Sequence, residues 1–273
     1  MTRKKIAYII PYKHNNKYRT KNLIYILNYT LSNFNFLKIY LTEQGESQEI
    51  NKNINIIKLL KNKKLEYNFI KSKNNDIDRG HIFNCTIKHF LKNEKILIMG
   101  DADIPLLHNI YKLLYLIETN KFYFVSPYTY LSKLNKYNSY LAMTEKKYIM
   151  DKPGNIYTFS GGILIVNREI FEKMGIWYEF NCYGNEDRAL DVIIENYYEN
   201  KKYIDNFTYI HLWHPSGNSI QHNKKIKNDL FRKIMFGCIG LKTDTIIHQN
   251  CKHITKWTSH YQKQIKGDLN KYN

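Results

Sequence analysis

Ile96-Leu97-Ile98-Met99-Gly100-Asp101-Ala102-Asp103 sets the fold class of this 273-residue chain. Four consecutive large apolar residues are short for a helix and fit a strand buried on both faces, as in a parallel sheet. Two carboxylates one residue apart follow the strand through a glycine. Ligands of open α/β sheets bind beyond the carboxyl ends of the strands, so this strand delivers Asp101 and Asp103 to the binding rim. Hard oxygen ligands there can hold a divalent cation against a diphosphate. Acidic pairs also close ordinary turns, so the pair takes this meaning only from its position behind the apolar run.

Toward the amino terminus, short apolar runs alternate with helical patterns. Ile6–Pro11 reads as a buried strand, and Leu23, Ile24, Leu27 and Leu31 mark one face of a helix after it. Leu37–Thr42 is a second strand, closed by the turn Glu43-Gln44-Gly45. Ile54–Leu60 fits helix or strand, Leu65–Ile70 fits a strand, and Ile82, Cys85 and Phe90 give His81–Leu91 a helical spacing. This alternation predicts an α/β fold: a Rossmann-like, mostly parallel central sheet flanked by helices. Toward the carboxyl terminus, Phe122–Ser126 reads as a strand and the polar, tyrosine-rich span from Tyr128 to Asn155 as a connection. Ile163–Val166 is an apolar run behind Gly161-Gly162, Glu186–Tyr198 a helix, and Phe207–Trp213 a late strand. Ser216–Lys227, rich in Gly, Asn, Gln and Lys, has loop composition.

Bulk composition narrows the classes. With 43% hydrophobic and 15% aromatic residues the chain can bury a large core, and one catalytic domain is the simplest organisation. No segment reaches the ~18 apolar residues that cross a bilayer. The apolar run after Met1-Thr2-Arg3-Lys4-Lys5 ends at Pro11 and reads as a strand instead of a signal peptide, so a soluble, cytoplasmic protein is expected. Cys85, Cys182, Cys238 and Cys251 show no paired spacing and indicate neither a zinc knuckle nor a disulfide framework. The formal charge of +18 suits a polyanionic partner or a nucleotide. Its basic residues are scattered, however, with no recognisable nucleic-acid-binding motif beside them, and nucleic acid is not the expected partner.

Three further constellations carry candidate chemistry. His211-Leu212-Trp213-His214 follows an apolar strand, and such a strand end can bring two imidazoles to one metal beside an Asp carboxylate; one core and one solvated histidine is the plainer alternative. Tyr183-Gly184-Asn185-Glu186-Asp187 opens a helix, where carboxylates either cap the helix or serve as a base kept ionised by the dipole. Gly161-Gly162 permits close backbone approach to a ligand, or a bulge at strand entry.

Taken in order, these pieces resemble the β-1,4-galactosyltransferase-like glycosyltransferases, with a GT-A fold and a galactosyltransferase carboxyl-terminal module. The resemblance runs from about Ile6 to His214. Ile9-Ile10-Pro11-Tyr12-Lys13 is similar to that family's first nucleotide-binding strand, and Leu41-Thr42-Glu43-Gln44-Gly45 to its second. Asp78-Arg79-Gly80-His81-Ile82-Phe83-Asn84, Gly100-Asp101-Ala102-Asp103-Ile104-Pro105 and Phe159-Ser160-Gly161-Gly162 follow, then the 183–187 and 211–214 motifs. Departures are Asn15 for a second Arg, Tyr183 for Trp, Asn185 for Gly, and His211 where some members use Met.

The resemblance implies a UDP-sugar donor, a Mn²⁺ or Mg²⁺ cofactor, a glycan or glycoconjugate acceptor and inversion at the anomeric carbon. It implies donor contacts from Pro11, Tyr12, Lys13, Arg19, Arg79, Asp101, Ala102 and Asp103, and metal ligands in Asp103, His211 and His214. Acceptor contacts would come from Gly161, Gly162, Tyr183, Gly184 and Glu186, with Asp187 as general base and Pro215 to about Lys227 as a lid. One domain over 1–273 is implied, with a nucleotide-sugar half to about 105, an acceptor half to about 230 and an extension beyond. Alternatives are a retaining N-acetylgalactosaminyltransferase-like enzyme, which shares the Gly-Gly and Gly-x-Glu pattern, a nucleotide-sugar-binding protein without catalysis, and a basic nucleic-acid-binding protein.

Overall fold

The computed structural model describes residues 5–73, 77–145, 154–155, 159–174, 177 and 186–215. Tyr183 and Gly184 of the expected acceptor site, the loop beyond Pro215 and the extension beyond 230 lie outside them. Strand β1 (Ile6–Tyr12) leads to helix α1 (Lys17–Asn33), β2 (Lys38–Gly45), α2 (Ile54–Leu60), β3 (Leu65–Lys71), α3 (Arg79–Cys85) and β4 (Ile96–Gly100). Then come α4 (Ile110–Glu118), β5 (Phe124–Ser126), β6 (Tyr130–Lys133), α5 (Lys136–Glu145), β7 (Gly154–Asn155), β8 (Ile163–Asn167), α6 (Arg168–Lys173), α7 (Glu186–Tyr198), β9 (Lys202–Ile204) and β10 (Thr208–His211).

The main sheet has seven strands in the order β3-β2-β1-β4-β8-β5-β9, and β10-β6-β7 form a second, three-stranded sheet. β1, β2, β3 and β4 run parallel, as their continuous apolar runs require. All seven residues of β1 are buried, because both faces of the sheet are covered. Side chains alternate across a strand. Tyr8 and Ile10 therefore join Leu23, Leu27, Ile110 and Leu113 of α1 and α4 in one core layer. Ala7 and Ile9 join Phe83, Phe171 and Leu190 of α3, α6 and α7 in the other. Each large apolar side chain so buried contributes about 1.5–3 kcal/mol, which fixes the strand register.

One feature corrects the sequence reading. The span from Tyr128 to Asn155 is no bare connection: it holds β6, α5 and the short β7. In addition, β8 runs antiparallel to both β4 and β5. That reversal brings the start of β8 to the carboxyl end of β4, with Gly100 opposite Ile163 and the Asp101 amide donating to Gly162 O at 3.1 Å. The glycine pair thus reaches the same rim as the two carboxylates. Helix α4 and strand β9 have no counterpart among the expected elements.

Candidate active site

A pocket opens at the carboxyl ends of β1 and β4, lined by Pro11, Tyr12, Lys13, Arg19, Ile77, Arg79, Asp101, Ala102, Asp103, His211 and His214. Every donor and metal residue expected from the sequence borders it, together with Ile77, which no motif marked. Several elements build it. β1 ends in Pro11 and Tyr12; α1, capped by the Asn16 side chain on the Tyr18 and Arg19 amides, brings Arg19; and β4 releases Asp101 and Asp103.

The imidazoles arrive from the second sheet. Leu212 N donates to Asp103 O at 2.9 Å, tying the end of β10 to the acidic turn. Trp213 is gripped on both sides: its amide donates to Ser139 Oγ at 2.7 Å, and Asn22 Nδ2 donates to its carbonyl at 3.2 Å. Held this way, His211 Nε2 lies 3.5 Å from Asp103 Oδ1 and His214 Nε2 3.2 Å from Asp103 Oδ2. The three ligand atoms all fall within 4.8 Å of one another. Burial alone would raise the Asp103 carboxyl, yet His211 and the hydrogen bond from His214 hold it well below the usual range. His214 is raised in turn, mainly by that bond. Asp103 Oδ1 is buried and has no hydrogen-bond partner among the described residues. One carboxylate oxygen and two imidazole nitrogens form a mixed donor set that can hold a divalent transition-metal cation, and the orphaned oxygen gives such an ion a place to bind.

Asp101 turns the other way. Its Oδ1 lies 3.1 Å from Arg79 Nη2, while Arg79 Nη1 reaches Glu186 Oε1 at 3.3 Å. The guanidinium also faces the Phe83 and Trp177 rings, 5.8 and 5.7 Å from their centroids. Arg79 therefore joins the acidic turn after β4 to the start of α7. That partner pair is absent from the sequence reading, which assigned Arg79 to the donor alone.

Burial pushes the Glu186 carboxyl up to about 7; Arg79 opposes the rise and Asp187 adds to it. The folded value stands above the ordinary 4.5, so the native state holds this proton more tightly than the unfolded chain. Stability from this group is complete below pH 4.5 and is lost as pH climbs to about 7. Glu186→Gln removes the titration, so its melting temperature should gain on the parent's across that window and run parallel above it. A flat difference would show that Glu186 stays ionised throughout.

Helix α7 is clipped to the glycine segment by Asp191. Its carboxylate accepts from Phe159 N and Ser160 N, both at 2.8 Å, and from Ser160 Oγ at 2.7 Å. Burial raises this carboxyl to about 6 against those bonds. Asparagine offers one oxygen in place of two and turns an amide toward a donor. Leaving a buried donor unmet costs about 1–3 kcal/mol. Asp191→Asn should therefore melt about 2–12 °C below the parent, on a scale of roughly 2–4 °C per kcal/mol for a chain of this size; an unchanged melting curve would remove the clip.

Gly162 has an internal reason to be glycine. Its φ is +78°, and a Cβ there would lie 2.1 Å from the Tyr128 hydroxyl. That hydroxyl donates to Gly161 O at 2.9 Å and accepts from Ile163 N at 3.2 Å. The pair is thus fixed beside Asp101 by Tyr128, a residue that no motif marked.

Solved structures share this architecture. Staphylococcus aureus TarS (residues 1–349) in complex with UDP-GlcNAc aligns with a TM-score of 0.58 at 12% identity, over 94% of this chain and 72% of that one. The mannosyltransferase PcManGT from Pyrobaculum calidifontis, in complex with GDP-Man and Mn²⁺, aligns at 0.54 and 11% identity, over 100% and 77%. Glucosyl-3-phosphoglycerate synthase from Mycobacterium tuberculosis, with Mn²⁺, UDP and phosphoglyceric acid, aligns at 0.52 and 10%, over 87% and 79%. The chain has the GT-A fold of these structures. No family model and no curated protein matches it by sequence. No helix among the described residues is long and apolar enough to cross a membrane.

Proposed function

We propose that this chain is a cation-dependent glycosyltransferase that carries a hexose or N-acetylhexosamine from a UDP-sugar to a hydroxyl of a glycan or glycoconjugate acceptor, with inversion. The observation that carries the reading is the meeting of Asp103, His211 and His214 in the pocket at the carboxyl ends of β1 and β4. The GT-A fold supports it, as do the UDP-GlcNAc, GDP-Man and UDP held by the aligned structures. The order of motifs supports the β-1,4-galactosyltransferase-like subtype.

In this reading Asp103, His211 and His214 would hold Mn²⁺ or Mg²⁺, and Asp101 would meet the ribose or water beside the cation. A bound cation would neutralise charge growing on the departing diphosphate. Lys13 and Arg19 border the pocket where that diphosphate would lie, and Tyr12 stands where the uracil would pack. Arg79 is the fork that steadies the donor, and its hold on Glu186 links the donor to the acceptor side. Glu186 Oε2 is buried without a hydrogen-bond partner among the described residues and is free to accept from an acceptor hydroxyl. Asp187, next on α7, takes that hydroxyl's proton.

The test is UDP release from a panel of UDP-sugars, with and without Mn²⁺, over a range of glycan acceptors. Acceptor-stimulated release that stops with chelator is expected. Release indifferent to chelator, or no UDP binding in calorimetry, overturns the reading.

A further inference from the structure

Behind Tyr12 lies a second groove, outside the transfer chemistry above. It runs between the start of α1 and the 49–56 segment, has a volume of about 390 Å³, and rests on Ile24, Ile50 and Ile56. Small-ligand sites commonly measure about 300–1,000 Å³, so the space suffices for a ring-sized molecule. Tyr12 forms the wall shared with the active-site pocket. Its hydroxyl is fixed by Thr20 Oγ1 at 2.9 Å and His14 Nδ1 at 3.3 Å.

Lys17, Lys21 and Lys52 stand around the isoleucine floor. Lys52 is matched by Glu49 at 2.7 Å, the one carboxylate among the groove's lining residues. Lys17 and Lys21 are exposed and make no ion pair among the described residues. Their placement runs against two rules of helix stability. They are like charges four residues apart on one helix, a repelling arrangement. Lys17 also occupies the first turn, where the helix dipole favours anions and where α1 has no acidic residue. A bound anion would relieve both penalties, and breaches of local rules concentrate at functional positions.

We propose that this groove is a second ligand site, taking a phosphate-bearing small molecule whose anionic group sits between Lys17 and Lys21 and whose apolar body lies on Ile24, Ile50 and Ile56. Two lysine point charges favour a compact phosphate, and the isoleucines add affinity only for a ligand with apolar surface. The site adjoins the donor pocket across Tyr12 and is distinct from it.

Calorimetry on the full chain in metal-free buffer tests this with phenyl phosphate and inorganic phosphate as probes. One phenyl phosphate per chain is expected, with affinity at least ~5-fold above that of inorganic phosphate and falling at least ~10-fold in Lys17→Gln/Lys21→Gln. The same double variant should bind UDP with Mn²⁺ within about twofold of the parent, since neither lysine lines the donor pocket. It should also melt at or above the parent, because the repelling pair is gone. Equal phenyl phosphate affinity in the two proteins overturns the site. Competitive displacement of phenyl phosphate by UDP overturns it as well, by making the groove the nucleoside end of the donor pocket. The phenyl phosphate result stands even if the chain proves to bind no UDP.

Discussion

Asp103→Asn is expected to lower Mn²⁺ affinity by about 100-fold or more and to reduce sugar transfer to near background at micromolar cation. Loss of an outer partner of a metal ligand alone typically costs 10–100-fold. Here the carboxylate itself is changed, and both imidazoles face it, at 3.5 and 3.2 Å. Asparagine keeps the volume and one acceptor oxygen but removes the charge that opposes the cation. The fold should survive, because Leu212 N bonds to the backbone of residue 103 and not to its side chain. Millimolar Mn²⁺ should restore part of the activity, since the two histidines remain. His214→Ala combined with Asp103→Asn should cost less than the sum of the single changes, as ligands of one ion act together. Parental Mn²⁺ affinity in Asp103→Asn would end the assignment of the triad, whatever happens to activity.

The sequence makes one half of this molecule plain and hides the other for physical reasons. β1 and β4 are strands buried on both faces, so their composition alone announces them. Donor-side residues occupy strand ends and a helix start, where short motifs and local structure coincide. Helix α5 reverses the usual code: Asn138 and Ser139 are buried while Tyr137 and Tyr140 are 67% and 58% exposed. No apolar stripe marks it, and a polar, tyrosine-rich span reads as connection. Ser139 is buried because the Trp213 amide needs it, a pairing across 74 residues that leaves no local pattern. The direction of β8 is equally silent, since Ile163-Leu164-Ile165-Val166 is as apolar read backward as forward. Arg79 shows the same limit: its motif is legible, whereas its bond to Glu186 spans 107 positions and exists only in the fold.

Asp187→Asn is expected to cut transfer by ~10²–10⁴-fold, the usual contribution of a positioned base, while leaving affinity for UDP and Mn²⁺ within about twofold. An inverting transfer is one displacement, so the base must stand on the face of the sugar opposite the leaving diphosphate. In the proposed reading the two groups belong to different elements. The metal triad sits at the end of β4 and β10, whereas Asp187 is on α7, reached through the Arg79–Glu186 link. Its helix is fixed at the next turn by Asp191 on the Phe159 and Ser160 amides, and the Ser160 hydroxyl lies between two acceptors, Asp191 Oδ1 at 2.7 Å and Asp187 O at 2.8 Å. These contacts hold the backbone at Asp187, and Asp187→Asn leaves them in place. Helix capping is the competing role of Asp187, and asparagine caps as well as aspartate does, so capping alone predicts little change in either stability or rate. Melting temperature, UDP affinity and transfer, measured on one preparation, therefore separate the two roles. Parental transfer in Asp187→Asn, or a product that keeps the donor's anomeric configuration, would move the chemistry away from Asp187 and from inversion.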